Sequence, residues 1–103
     1  MEIDISKVLH KTKNHSYLDE KTLMQHSLSL AVCLEKAIVH VLEISTDKAT
    51  RIRLLGMGIG KGTRLEVLRN RKGDVVLGSG NNRVSLSHSV SSAILVVPLE
   101  HIA

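Results

Sequence analysis

From residue 37 onward short apolar runs alternate with breaks carrying Gly or Asn, and before residue 27 no such rhythm exists. Ala37-Ile38-Val39-His40-Val41-Leu42-Glu43-Ile44 is β-branched and partly alternating, which predicts a strand. Thr46-Asp47 can cap the next element, and Ala49 to Met57 predicts a short helix there. Ile52, Leu54 and Leu55 give that helix an apolar side between Arg51 and Arg53. Gly58 stands where a helix ends in a left-handed conformation. Only strand signals come after it. Thr63 to Leu68 alternates and runs into a basic turn, Asn70-Arg71-Lys72-Gly73-Asp74. Val75-Val76-Leu77 is the next strand, ended by Gly78-Ser79-Gly80-Asn81-Asn82, and Arg83 to Leu86 alternates again. Ser87 to Ser92 is hydroxyl-rich and predicts one turn of 3₁₀ helix, and Ala93 to Val97 predicts a last buried strand ended by Pro98. Short strands at close spacing with Gly-rich turns predict a small barrel or curled sheet. Closure would also remove the exposed edges that a chain rich in Val and Ile must otherwise protect.

Residues 1–26 read differently, as a polar lead. Ser16-Tyr17-Leu18-Asp19-Glu20 could open a short helix there, with Leu18, Leu23 and Met24 as a thin apolar stripe. The lead is expected to be a disordered tail or a loosely docked helix, set apart from a barrel domain over residues 27–103. A length of 103 residues corresponds to one domain. The single cysteine closes no internal disulfide. Runs such as Ala93-Ile94-Leu95-Val96-Val97 fall well short of the ~18 apolar residues of a spanning helix. The acidic start Met-Glu-Ile-Asp lacks the apolar stretch of a secretion signal, so the expected compartment is the cytoplasm. With no Trp, no Phe and one Tyr, the core has to be aliphatic. The same shortage removes the stacking platforms on which single-stranded nucleic acid is bound.

The net charge of +4 is uneven: residues 1–47 carry −2 and residues 48–103 carry +6. All six Arg lie in the second half, at positions 51, 53, 64, 69, 71 and 83. A basic half suits an acidic partner, whether nucleic acid, an anionic membrane face or an acidic protein surface. A solvated basic surface without a ligand reads equally well.

Several motifs fail on their mechanics. Gly56-Met57-Gly58-Ile59-Gly60-Lys61-Gly62 resembles a phosphate loop only in composition, since Leu55 stands where the first Gly belongs and Gly62 where Ser or Thr belongs. The dinucleotide fingerprint needs a strand before and a helix after, the reverse of the order here. The run is better read as a tight helix-to-strand connection. His26, Cys33 and His40 recur every seven residues and would share a face of a helix, but His40 lies in a strand pattern, where an odd spacing alternates faces. The spacing matches no structural zinc pattern, and Cys33 is expected to be a small core residue. His10 and His15 lie in the lead. Ser87-His88-Ser89 lacks the strained elbow and orienting acid of a nucleophile. No pair of carboxylates stands out for acid–base work, so no catalytic residue is expected.

Residues 51–68, Arg-Ile-Arg-Leu-Leu-Gly-Met-Gly-Ile-Gly-Lys-Gly-Thr-Arg-Leu-Glu-Val-Leu, resemble the central motif of the FeoA family of bacterial ferrous iron transport. Arg53, Leu54, Leu55, Met57, Gly58, Ile59, Gly62 and Thr63 fit its helix end, glycine corner and following strand, and Gly73-Asp74 fits its next turn. The likeness runs over about residues 28–98. Lys61 departs from it, standing where the family usually has Pro, and Ser87 or His88 replaces a basic residue before the last turn. The resemblance implies a mainly β chain, an SH3-like small β-barrel with one short α-helix. It implies no catalysis and no cofactor. It implies binding and regulation of the FeoB membrane permease, a GTPase, from the cytoplasmic side, with the membrane reached only through that partner.

The corner from Arg53 to Gly62 is then the candidate docking surface. Arg51, Arg53 and Lys61 are its charged contacts, with Met57, Gly58 and Gly62 beside them. Leu54, Leu55 and Ile59 are expected mainly in the core. Two alternatives stand beside this reading. One is an SH3-like module of a metal-dependent transcription regulator of the DtxR type, against which residues 1–47 are too short and too acidic for a winged helix-turn-helix. The other is a basic nucleic-acid-binding barrel with strongly salt-dependent affinity. Homo-oligomerisation through an edge strand is also open.

Overall fold

A computed structural model describes residues 25–99. The helix expected to begin at Ser16, together with His10 and His15, lies outside the described residues. The elements are β1 (Leu28–Ser29), a 3₁₀ turn (Leu30–Val32), β2 (Ile38–Ile44), α1 (Lys48–Gly56), β3 (Arg64–Arg71), β4 (Asp74–Ser79), β5 (Asn82–Leu86), α2 (His88–Ser91) and β6 (Ile94–Pro98). Every strand pairing is antiparallel, in the order β1-β6-β2-β3-β4-β5.

The alternation read from the sequence has its counterpart in burial. On β3, Leu65 and Val67 face inward, on β4 Val75 and Leu77 do, and on β5 Val84 and Leu86 do. β2 is central, and its run Val39-His40-Val41-Leu42 is buried on both faces. The core is aliphatic: Leu30, Leu54, Ile59, Leu65, Leu77 and Ile94 are its largest fully enclosed apolar side chains. Cys33 is buried within the same cluster, as expected of a small core residue.

Two register shifts bend the sheet. Leu42 is the extra residue of β2 opposite β6, and Leu68 that of β3 opposite β4. A bulge adds twist and lets a sheet curl around its core. Curling stops short of closure: β1 and β5 end the strand order and form no ladder with each other. The complete closure anticipated from edge protection is therefore not realised among the described residues, though the fold remains a small, SH3-like curled barrel.

Two other expectations are corrected. Ser87 to Ser92 holds an α-turn rather than 3₁₀, because Ser91 N and Ser92 N donate four residues back to Ser87 O and His88 O, both at 2.9 Å. The Asn70–Asp74 segment is mostly strand, and only Lys72 and Gly73 form the turn, with φ of 54° and 96°. Positive φ at both centres is the geometry of the tightest hairpin connection.

The candidate docking corner

α1 begins at Asp47, whose carboxylate accepts from the Thr50 hydroxyl at 2.6 Å and from the Thr50 amide at 3.1 Å. Donation by that hydroxyl, then by the amide, holds the Asp47 pKa below its ordinary value. The helix ends at Gly58, with φ of 85°. Ile59 N donates to Leu54 O at 2.8 Å and Gly58 N to Leu55 O at 3.0 Å, the paired bonds of a Schellman ending. The motif turns Ile59 directly into the core, where it is fully buried.

A second turn comes at once. Thr63 N donates to Gly60 O at 3.0 Å, and Gly60 N donates to the Thr63 hydroxyl at 2.9 Å. Gly62 sits at the third position with φ of 85°, which makes this a type II turn with Lys61 at its second position. Proline is favoured at that position, which gives a physical reason for the family's preference there. Gly62 N then donates to Val41 O at 2.7 Å and Val41 N to Thr63 O at 2.9 Å, fastening the corner to the central strand.

Of its apolar residues, α1 buries only Leu54. Leu55 was expected in the core and is instead 64 % exposed, with Ile52 57 % and Met57 39 % exposed. Ile52 and Leu55 are three apart and so share one helix face, while Leu54 points elsewhere. Leu55 rests on the backbone of Gly60, where a Cβ would approach its Cδ2 to 2.8 Å.

The anticipated contact residues divide into two groups. Arg51 and Lys61 line a mainly apolar hollow of about 270 Å³ with Ile44, Leu55, Gly60 and the carboxylate-bearing Glu43. Arg53 and Met57 face the other way, into a cleft shared with Ser85 and Leu86 of β5. Gly58 and Gly62 shape the corner through their backbone conformation.

The remaining candidate chemistry does not assemble. The Ser87 and Ser89 hydroxyls bond each other at 3.1 Å, and Asp74 accepts from the His88 backbone amide rather than from its ring. The His88 ring instead covers Gly73. His26 is exposed at one end of the described chain, while Cys33 and His40 are buried. Among the described residues no three His, Cys, Asp or Glu side chains lie together in a way that could hold a metal ion.

Two side chains of structural weight escape the sequence reading. Asn70 donates to Ala31 O at 3.0 Å and Cys33 O at 2.7 Å, and accepts from Gly73 N at 2.8 Å. Ser91 is fully buried and donates to Gly73 O at 2.5 Å. Polar residues near turns carry no signal for such long-range bonds.

A curled antiparallel sheet with one short helix set on a glycine corner defines an SH3-like small β fold. The FeoA domain model matches residues 27–98, and the chain belongs to that family. A Methanocaldococcus jannaschii protein whose name assigns it to Fe(2+) transport is 29 % identical over 72 residues, 70 % of this chain and 88 % of the relative. An FeoA-like protein of Clostridium acetobutylicum has a solved structure with TM-score 0.62 and 25 % identity, covering 72 % of this chain and 88 % of its own. A manganese-dependent transcriptional repressor aligns with TM-score 0.64 and 28 % identity over 71 % of this chain and 42 % of the repressor. An iron uptake regulatory protein of the same family has TM-score 0.64 at 20 % identity, covering 71 % of this chain and 97 % of its own, a likeness of fold.

Proposed function

We propose that this chain is a non-catalytic accessory protein of ferrous iron uptake, which binds and regulates a FeoB-type GTPase permease at the cytoplasmic face of the membrane. Family membership and the Fe(2+)-transport name of the M. jannaschii relative support the process. Among the described residues no helix is long and apolar enough to cross a membrane.

The observation that carries the docking surface is the solvent-facing side of α1. Ile52 and Leu55 are exposed on one face of this nine-residue helix, Leu55 beside Arg51 and Lys61, while Arg53 and the exposed Met57 border the flank toward β5. Apolar anchors ringed by charge are the usual anatomy of a protein interface. Gly58 and Gly62 hold the corner in shape, and the cations suit an acidic face on the permease.

Titration of the permease's GTPase domain with the full chain tests this reading. Saturable binding is expected, weakened about tenfold or more by Arg53→Glu and by Leu55→Ser. No binding at tens of micromolar protein counts against a stable complex with that domain. The repressor likeness supports a shared module, since it spans less than half of that protein. Salt-sensitive binding to duplex DNA in the same assay would favour the nucleic-acid alternative.

A further inference from the structure

We propose that the outer edge of β5 and the adjoining flank of α1 form a groove for an extended, acidic peptide segment of a partner protein, bound as an added strand. The inference goes beyond the permease reading, because it does not depend on which protein carries the segment.

β5 ends the sheet, and β4 is its one neighbour in the strand order. The two strands are joined by the two-residue loop Gly80-Asn81, with Ser79 opposite Asn82. In such a hairpin the flanking pair exchanges hydrogen bonds, and bonded and non-bonded pairs then alternate along the ladder. Val84 and Leu86 therefore bond β4, whereas Arg83 and Ser85 turn their N–H and C=O groups outward. No backbone bond joins Arg83 or Ser85 to another described residue on that side. Both residues are exposed.

Two of the usual protections of an edge are missing, although β5 is only five residues long and carries the exposed charge of Arg83. β5 has no proline, and its ladder with β4 has no register shift. A trough runs alongside. One part, about 400 Å³, is lined by Met57, Arg83 and Ser85, and the next, about 260 Å³, by Arg53, Met57 and Ser85. Met57 and Ser85 border both parts. A free strand edge facing a helix flank across a trough is the geometry in which peptides add to a sheet, main-chain bonds giving affinity and alternate side chains giving specificity.

Charge decides the occupant. Arg53 and Arg83 line the trough and no Asp or Glu does. A peptide with acidic residues at alternate positions would meet these cations while its apolar residues cover Met57. A second copy pairing through β5 would bring a further arginine and no carboxylate to the trough, since the strand Asn82–Leu86 holds Arg83 and no Asp or Glu.

The test is an NMR titration of the isotope-labelled full chain with acetyl-Thr-Val-Asp-Val-Glu-Val-Thr-amide and with an analogue carrying Lys for both acids. Saturable shifts are expected in β5 and α1, with the Arg83 and Ser85 amides becoming protected from exchange. The Lys analogue, and the Arg83→Glu protein with the acidic peptide, should bind at least about tenfold more weakly. Ser85→Pro should abolish binding while the spectrum stays dispersed, since an edge strand tolerates proline where its N–H faces outward. Should that variant unfold, N-methylation of the peptide's valine amides gives the equivalent loss on the native protein. The proposal is overturned by an absence of shifts at about 1 mM peptide, by equal binding of the Lys analogue, or by concentration-dependent protection of the Arg83 and Ser85 amides without peptide. The last outcome would assign the edge to a second copy.

Discussion

Lys61 occupies the second position of a type II turn, where φ near −60° is required and the amide bonds no described residue. Proline presets that angle and narrows the unfolded ensemble. Lys61→Pro is thus expected to stabilise the fold by about 0.4–1 kcal/mol in urea unfolding, at the loss of one cation from the corner. Asp47 acts on the neighbouring helix end. Its carboxyl is held below the ordinary 3.8 by the Thr50 hydroxyl and amide, so the folded state favours the ionised form. The resulting stabilisation is present in full above the ordinary value and is lost as pH falls through the lower, folded-state value. Replacing Asp47 by Ala should lower Tm at neutral pH, and thermal scans should show that gap closing as pH falls below the ordinary 3.8 and through the lower, folded-state value. A gap that persists undiminished in acid would mean the cap bond does not depend on the charge.

At the scale of the element, α1 carries three large apolar residues, Ile52, Leu54 and Leu55, that play two parts. Leu54 is 1 % exposed, and Leu54→Ala should cost about 2–5 kcal/mol. Leu55, one residue on and 64 % exposed, should cost well under 1 kcal/mol on the same change. Chemical denaturation of both variants separates core from surface, and equal losses would contradict the packing described. A different element, the β3–β4 hairpin, is tied to the 3₁₀ turn and the residue that follows it by Asn70. Its three hydrogen bonds join Ala31, Cys33 and Gly73, so Asn70→Ala should destabilise by about 1–3 kcal/mol. A loss near zero would show these bonds to be replaced by water.

Across the whole molecule, the described residues form one curled sheet, with its helix seated between the central strand and the β5 edge that has no further strand neighbour among them. The strands were legible because alternation and β-branching are local and each buried face repeats every second residue. The helix end at Gly58 was legible too, since a left-handed residue after a helix is a single-residue requirement. The same motif carried the likeness to the FeoA family. Other features were closed to that reading. Leu55 was expected inside because apolar residues usually are, yet Ile52, Leu54 and Leu55 lie on two sides of one short helix and only its docking selects the buried one. Asn70 and Ser91 looked like turn residues, because the carbonyls they bond come from segments 18 to 39 positions away. The trough at β5 joins residues 53 and 57 to residues 83 and 85, from elements that no local pattern connects. The sequence alone determined the longer strands and the helix end at Gly58, since these depend on periodicity and on the φ each residue tolerates. Tertiary structure alone decided which helix face meets solvent, which strand edge is left without a neighbour among the described residues and what faces it, since those depend on how the sheet curls and where the helix lands.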